Sequence, residues 1–363
     1  MRSSFKTYYS QDNLISLKFL LAHTDKCIWV ESTKESDEAP PKTILCIEYQ
    51  QPVGRLRDFS DYHLVRFDGD YSTKVRVDFG QLNEVNGVLG LGVVKKYVIA
   101  AVKDLGSSKM SMFVSEDGKE WDKTLFPHTV GFEENAYTIQ ESSTYQLVVD
   151  VLSATSADSY SSMGTLFRSN SRGNRFMYSL NHTNRNMEGL VDYEKVQGIE
   201  GIVLANIVAN WEKVAAGGVI TKQLQSKISF DDGANWRYIS PPKDKTFSCS
   251  TDTATGNCAL HLHSVTSPHN FGRVFSSRGA PGVLLGVGSV GSFLLPYEDC
   301  DTFVSYDGGL TWQFATEGAH KYEIGDMGSL LVIVDDENPT SEIKYSSDHG
   351  KTWLVCRVLL TKA

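Results

Sequence analysis

The sequence predicts an all-β fold, a β-propeller assembled from short repeated sheets. Two observations predict it: strand-like runs with no helical stripe among them, and one eight-residue motif that returns along the chain. The runs are rich in Val, Ile, Leu, Phe and Tyr and broken by Gly, Asp, Asn or Ser. They fall at Leu14–Ala22, Cys27–Glu31, Thr43–Glu48, Val75–Phe79, Tyr97–Val102, Tyr145–Leu152, Gly201–Ile207, Val283–Gly288 and Leu330–Val334. No segment carries a sustained 3.6-residue apolar period. Met187–Gln197 comes nearest, and predicts at most a short turn of helix.

The motif is S-x-D-x-G-x-[TN]-W. It stands at Ser229, Asp231, Gly233 and Trp236, at Ser305, Asp307, Gly309 and Trp312, and at Ser346, Asp348, Gly350 and Trp353. Ser115, Asp117, Gly118 and Trp121 form a copy one residue short. Ser169–Phe176 is a degenerate copy with Ser171 at the Asp position and Phe176 at the Trp position. The closing aromatics, at 121, 176, 236, 312 and 353, step by 55, 60, 76 and 41 residues. Units of this size indicate stacked sheets, each too small to bury its own face. An apolar strand precedes each copy and an aromatic opens the next, so the motif reads as a hairpin loop. Ser and Asp cap loop amides that have lost their ladder partners. Gly supplies a positive φ, and Trp drops an apolar ring into the sheet interface. This is the Asp-box.

Bulk composition excludes some functions. The chain has 363 residues, 41% hydrophobic and 22% charged, as expected of a soluble globular protein. A net charge of −9 and a pI near 5.5 argue against nucleic acid as a partner, because nucleic-acid binders concentrate Lys and Arg. The opening Met1-Arg-Ser-Ser-Phe-Lys6 lacks the apolar core of a signal peptide, and no window approaches a membrane span. The expectation is a piece of a longer protein, or a truncated gene product.

The six cysteines point to an oxidising compartment. Cys249 and Cys258 bracket a short polar loop, and Cys27 and Cys46 flank a charged, proline-containing one. Each pair reads as a local disulfide, with buried free thiols as the alternative. Cys300 and Cys356 have no assigned partner. No Cys/His spacing suggests zinc, and neither a metal nor a cofactor is expected.

Asp-boxes occur in sialidases, in some glucan hydrolases and in sorting receptors, so the deciding residues lie between the boxes. Cys258-Ala-Leu-His-Leu-His-Ser-Val265, Gly286-Val-Gly-Ser-Val-Gly291 and Asp301–Trp312 together resemble the sortilin family of vacuolar sorting receptors, its fungal carboxypeptidase Y-sorting members above all. Tyr193–Asn206 and Gly164-Thr-Leu-Phe-Arg-Ser169 add to the likeness, which covers roughly residues 85–361 and more faintly the part before. The resemblance implies a large ten-bladed propeller in the Golgi or endosome lumen that binds protein cargo in its tunnel. That cargo would be soluble vacuolar hydrolases such as carboxypeptidase Y-like proteins, with the membrane reached only through segments outside this chain. At ~60 residues per repeat, the chain makes about six blades, near 1–60, 61–130, 131–180, 181–241, 242–316 and 317–361. Six blades of ten would expose two blade faces, so this chain alone is not expected to act as a receptor. In animal members an arginine before the box corresponding to Ser115–Trp121 receives a peptide carboxylate. Here the strand reads Lys109-Met-Ser-Met112, so that site is not carried over, and the ligand-binding residues are unknown.

Gly286, Gly288 and Gly291 match a dinucleotide fingerprint, but no helix follows to hold a pyrophosphate, and a glycine-rich strand is the better reading. His261 and His263 alternate with leucines and point to one face of a strand. Without a third ligand they read as a packed or hydrogen-bonded pair. A sialidase-like hydrolase is the alternative function, yet Asp231, Asp307 and Asp348 read as structural residues of outer hairpins, and no Arg-Ile-Pro segment is present. No catalytic residue is therefore assigned. A truncated, non-functional paralogue is a third reading. Asn181-His-Thr183 is an N-glycosylation sequon.

Overall fold

The structure is a computed structural model. It describes residues 6–30, 43–50, 58–80, 86–103, 109–127, 137–143, 146–154, 162–186, 188–217, 220–249, 256–267 and 276–357. By compactness the chain divides into two units, Met1–Val149 with Arg168–Met177, and Asp150–Phe167 with Tyr178–Ala363.

In the first unit, β1 (Lys6–Tyr9) pairs with β2 (Lys18–Ala22). A four-stranded antiparallel sheet follows in chain order: β3 (Thr24–Val30), β4 (Thr43–Tyr49), β5 (Tyr62–Phe67) and β6 (Lys74–Arg76). This sheet runs past residue 60, where the sequence suggested a boundary. The next repeats the order with β7 (Val88–Val94), β8 (Tyr97–Lys103), β9 (Met110–Ser115) and β10 (Asp122–Lys123). Strands such as β8 are apolar without alternation because a sheet stacked on both faces buries both sides. Tyr97, Val98, Ile99, Ala100, Ala101 and Val102 are all buried. One core joins Leu45, Ile47 and Leu64 of the earlier sheet to Val98, Ala100, Phe113 and Trp121 of the later one.

Next come β11 (Tyr137–Ser143), β12 (Gln146–Ala154), β13 (Met163–Ser169) and β14 (Phe176–Asn184), and the division between the units runs within the last three. The second unit continues with β15 (Tyr193–Lys195), β16 (Val203–Val208), the single-turn α1 (Trp211–Ala215), β17 (Leu224–Ser229) and β18 (Arg237–Tyr238). After these come β19 (Ala259–Leu262), β20 (Ser276–Ser277), β21 (Ala280–Gly291), β22 (Asp301–Ser305) and β23 (Gln313–Thr316). Last are β24 (His320–Gly325), β25 (Leu330–Asp335), β26 (Glu342–Ser346) and β27 (Leu354–Arg357). Here too the strands pair antiparallel, in chain order except that β14 pairs with β16 and β19 with β21, leaving β15 and β20 on the side, and Ile228, Leu260, Leu284 and Phe303 knit successive sheets into one core.

Two local expectations are corrected. The helical turn forms at α1, while the described part of 188–197 holds turns and β15. Leu14–Leu17 lies outside the strand expected there, which begins at Lys18, because side-chain caps from Ser10 and Asp12 close a turn over it.

Candidate functional site

The three full Asp-boxes and the short copy each join two antiparallel strands: β9 to β10 in the short copy, and β17 to β18, β22 to β23 and β26 to β27 in the full ones. In the loop after β22, Ser305 Oγ accepts the N–H of Gly309 at 2.9 Å, and its hydroxyl donates to Asp307 Oδ1 at 3.0 Å. Asp307 accepts the Thr311 N–H at 2.8 Å and the Thr311 hydroxyl at 2.6 Å. Trp312 folds back and donates its Nε1–H to the carbonyl of Gly309 at 3.2 Å. Ser229 and Asp231 hold Gly233 and Asn235 in the same way, and Ser346 and Asp348 hold Gly350 and Thr352. In the short copy Ser115 caps Gly118, while Asp117 takes the N–H groups of Lys119 and Glu120. Burial notwithstanding, these bonds hold the carboxyls of Asp231 and Asp307 below the usual range, and Thr352 brings Asp348 down to about 2. Each carboxylate is spent on its own loop, which is an architectural role.

The glycine does more than turn the chain. A Cβ on Gly118 would stand 3.1 Å from Leu45, and one on Gly309 would stand 2.7 Å from Ile228. Both neighbours belong to the preceding sheet, so the box glycine is also where one sheet meets the next. The residue before it is left-handed as well, with φ of 55° at Asp232 and 62° at His349. Asp and His tolerate that region better than most residues.

Two boxes read differently from the sequence alignment. In the degenerate copy Ser171 does not take the aspartate's place. Asn170 does, its Oδ1 accepting the N–H groups of Asn174 at 3.1 Å and Arg175 at 3.3 Å. Ser171 contributes its carbonyl to the Tyr97 hydroxyl at 2.9 Å, and Phe176 stacks on Phe126 at 4.2 Å. Sequence reasoning also missed a box. Ser10 caps Leu14 at 2.9 Å, and Asp12 takes both the N–H and the hydroxyl of Ser16, the same bonds as in the intact copies. Only the S-x-D signature survives there, because Leu14 replaces Gly and Leu17 replaces Trp.

Cys27 is bonded to Cys46 across the β3–β4 ladder, their Cα atoms 4.1 Å apart, and Cys249 to Cys258 at 5.4 Å. Cys300 is a buried free thiol and Cys356 an exposed one. Gly286, Gly288 and Gly291 lie within β21, and a Cβ on Gly288 would stand 1.9 Å from the carbonyl oxygen of His261. Gly288, with Gly286 whose Cβ would stand 3.0 Å from Leu262, lets two strands meet closely. His261 is buried. Its Nδ1 accepts the N–H of Ser226 at 3.0 Å, which leaves the proton on Nε2, 3.1 Å from the Gly291 carbonyl. Burial holds its pKa down to about 4. His263 lies 3.2 Å from the Leu295 carbonyl and 3.5 Å from Cys300. Among the described residues no group of three or more His, Cys, Asp or Glu could hold a metal ion. Lys109 is exposed, just ahead of β9, and Asn181 is exposed on β14.

The densest polar chemistry lies in the second unit, between β14–β17 and β19. Asp150, fully buried, receives Arg185 at 2.9 Å and the hydroxyl of Thr183, and burial pushes it up to about 6 against their pull. Lys222 gives its three hydrogens to the carbonyls of Ser162 and Arg185 and to Asn184 Oδ1, at 2.7 to 2.9 Å, and burial lowers it to about 8. Asp192 accepts from Asn184 at 2.8 Å, from Asn206 at 3.1 Å and from the Thr266 N–H at 2.9 Å. Asn206 and Ser226 then bridge to β19: Asn206 donates to the Leu262 carbonyl at 3.0 Å, and Ser226 Oγ accepts the Leu262 N–H at 2.7 Å.

At the edge of this network Glu194, Leu204, Ala205, Asn206, Ser226, Leu262 and Ser264 line a recess of about 200 Å³, its mouth included. Glu194 Oε1 accepts the Ser264 hydroxyl at 3.0 Å. Burial pushes the Glu194 carboxyl up to about 8, further than Ser264 pulls it back, so it holds a proton at neutral pH. A resemblance to Tyr193–Asn206 marked this segment in the sequence. Nothing there signalled the recess, which needs the turn after β19 to supply Ser264.

Repeated antiparallel sheets, each closed by an Asp-box hairpin, with box glycines such as Gly118 and Gly309 seated on the preceding sheet, define a β-propeller of the Asp-box class. The chain belongs to the Sortilin-Vps10 family, whose model, described as "Sortilin, neurotensin receptor 3", matches residues 2–359. It is 42% identical over 369 residues to the vacuolar protein sorting/targeting protein 10 of Laccaria bicolor, covering 96% of this chain and 24% of that protein. The protein of the same name from Ajellomyces capsulatus strain G186AR is 42% identical over 360 residues, with 96% and 22% covered. The chain thus spans under a quarter of the length of these curated relatives. Among solved structures, the β-propeller domain of the Trilobed protease from Pyrococcus furiosus aligns over 97% of this chain and 93% of its own, at 8% identity and a TM-score of 0.37. The Hadza microbial sialidase Hz136 aligns over 98% and 68%, at 13% identity and a TM-score of 0.33. Neither likeness carries a residue or an activity over to this chain.

Proposed function

We propose that this chain is a lumenal, cargo-binding part of a vacuolar sorting receptor, which delivers soluble hydrolases from the Golgi through endosomes to the vacuole. Carboxypeptidase Y-like proteins are the proposed cargo, and a longer receptor would supply membrane attachment. Among the described residues no helix is long and apolar enough to cross a membrane. The observation that carries the reading is the family match from residue 2 to residue 359, over relatives named for vacuolar protein sorting. Two disulfides fit an oxidising lumen. Asn181, exposed and followed by Thr183, is the proposed glycan acceptor.

Asp-box carboxylates committed to their own loops also count against the sialidase-like alternative, which needs two carboxyl groups facing each other across a substrate. The test is genetic. Deleting the gene that encodes this chain should send a soluble vacuolar hydrolase into the growth medium, and restoring it should return the hydrolase to the vacuole. Unchanged retention after deletion would refute the reading.

A further inference from the structure

We infer that Asn181 takes its glycan only while this part of the chain is unfolded, because folding seals away the Thr183 hydroxyl that the glycosylating enzyme must read. The inference deepens the lumenal reading and rests on it for access to that enzyme. What it adds is the state of the chain that serves as acceptor.

An N-glycosylation signal ends in Ser or Thr, residues that share a β-hydroxyl and little else. The enzyme that reads the signal must therefore reach that hydroxyl as well as the asparagine amide. Asn181-His182-Thr183 is such a signal. On a regular strand, residues two apart share a face. Here they do not: Asn181 is exposed, while Thr183 is 0% exposed. The break lies at His182. Its φ of 58° is left-handed, and its ring stacks on Trp211 of α1 with centroids 4.1 Å apart and planes within 7°.

Thr183 is held from two sides. Its hydroxyl donates to the buried Asp150, which also receives Arg185 at 2.9 Å. Its backbone pairs with Ile207 of β16. To present Thr183 to an enzyme, His182 must return to an extended conformation, leave Trp211 and carry the hydroxyl away from Asp150. That opening strips a buried ion pair of its supporting bond, which limits the open form to about one molecule in a hundred or fewer.

Chain order leaves a window before this lock closes. Ile207 and Trp211 follow the signal in the sequence, so during synthesis Asn181 emerges before the strand that pairs with Thr183 and before the ring that stacks on His182. In that window the Asn181 amide nitrogen attacks C1 of a lipid-pyrophosphate-linked oligosaccharide. The N–C1 bond forms as the bond from C1 to the pyrophosphate oxygen breaks. The lipid pyrophosphate leaves, and the amide gives one proton to the enzyme's base. A molecule that folds first stays unmodified, so the two glycoforms are fixed at synthesis. Once the chain folds, the exposed Asn181 carries the glycan outward and Thr183 turns in to Asp150.

The experiment presents the whole chain, made without glycan, to a purified oligosaccharyltransferase and its lipid-linked donor. One sample is folded with its disulfides formed. The other is reduced and alkylated at all six cysteines, which the buried Cys46 and Cys300 do not accommodate in the fold. A Gly-Asn-Gly-Thr tail added after Ala363 is the internal standard, and mass spectrometry of the peptides follows both sites. Relative to the tail, Asn181 should be modified more than about tenfold faster in the alkylated chain than in the folded one. A smaller ratio overturns the inference. Asp150→Ala frees the Thr183 hydroxyl and should raise the folded-chain rate towards the alkylated one. An unchanged rate also overturns the inference, since the block would then lie elsewhere. Should Asp150→Ala not fold, the ratio in the parent chain decides. Glycan on Asn181 is measured as well in the chain recovered from its own cells. Its absence there, with the ratio upheld, sinks the lumenal reading and leaves this inference standing.

Discussion

A Cβ at Gly164 would stand 2.1 Å from Oδ1 of Asp150. The missing side chain on β13 is what makes room for the buried carboxylate on β12. Thr183 and Arg185 then reach that carboxylate from β14 and from the residue after it.

Gly164→Ala should therefore displace Asp150 and strand Arg185, at a cost of roughly 3–5 kcal/mol. Urea unfolding measures it. Gly92→Ala is the control, because a Cβ there meets nothing within 4 Å, and it should change stability by less than about 0.5 kcal/mol. Equal effects from the two would contradict the assignment.

The degenerate box offers a test of structure against alignment. Asn170→Ala removes the acceptor for two loop amides and should cost about 1 kcal/mol, as loss of a side-chain cap does. Ser171→Ala keeps the carbonyl that Tyr97 uses and should be nearly neutral. The reverse order in thermal unfolding would favour the aligned position.

Leu14 adopts φ of 69° and is 77% exposed. It pays left-handed strain at a position where other boxes use glycine. Leu14→Gly should stabilise the chain by about 1 kcal/mol, since strain of that size is relieved. A loss of stability in the same measurement would show that Leu14 is packed.

How much of this was legible in the sequence follows from what each residue does. Ser305, Asp307, Gly309 and Trp312 act on neighbours within eight residues, so their spacing alone gave the loop, its caps and its flanking strands. The contact of Gly309 with Ile228 spans two sheets and leaves no spacing to read. Asn170 escaped because a cap can move by one residue when the loop backbone adjusts, and Ser10–Leu17 because its Gly and Trp signatures are both gone. The recess at Glu194 was invisible for a related reason. Ser264 lies seventy residues downstream, and a carboxyl pushed up by burial looks like any other glutamate in a row of letters.

Glu194 also sets a pH dependence. Its folded pKa of about 8 stands above the ordinary 4.5, so the folded chain holds that proton more tightly than the unfolded one. The stability this contributes is full below pH of about 4.5 and is lost as pH rises to about 8. Glu194→Gln should therefore gain melting temperature relative to the parent as pH is raised across that window, as scanning calorimetry would record. A difference that stays constant from pH 4.5 to 8 would mean that Glu194 ionises normally.

The central claim is that this chain binds protein cargo rather than turning over a glycoside. The most direct measurement is biolayer interferometry with the secreted chain immobilised and a carboxypeptidase Y-type proenzyme in solution at neutral pH. The account predicts saturable binding that survives Asp307→Asn, because that carboxylate serves only its own loop. No binding of the proenzyme, together with sialoside hydrolysis abolished by Glu194→Gln, would contradict it.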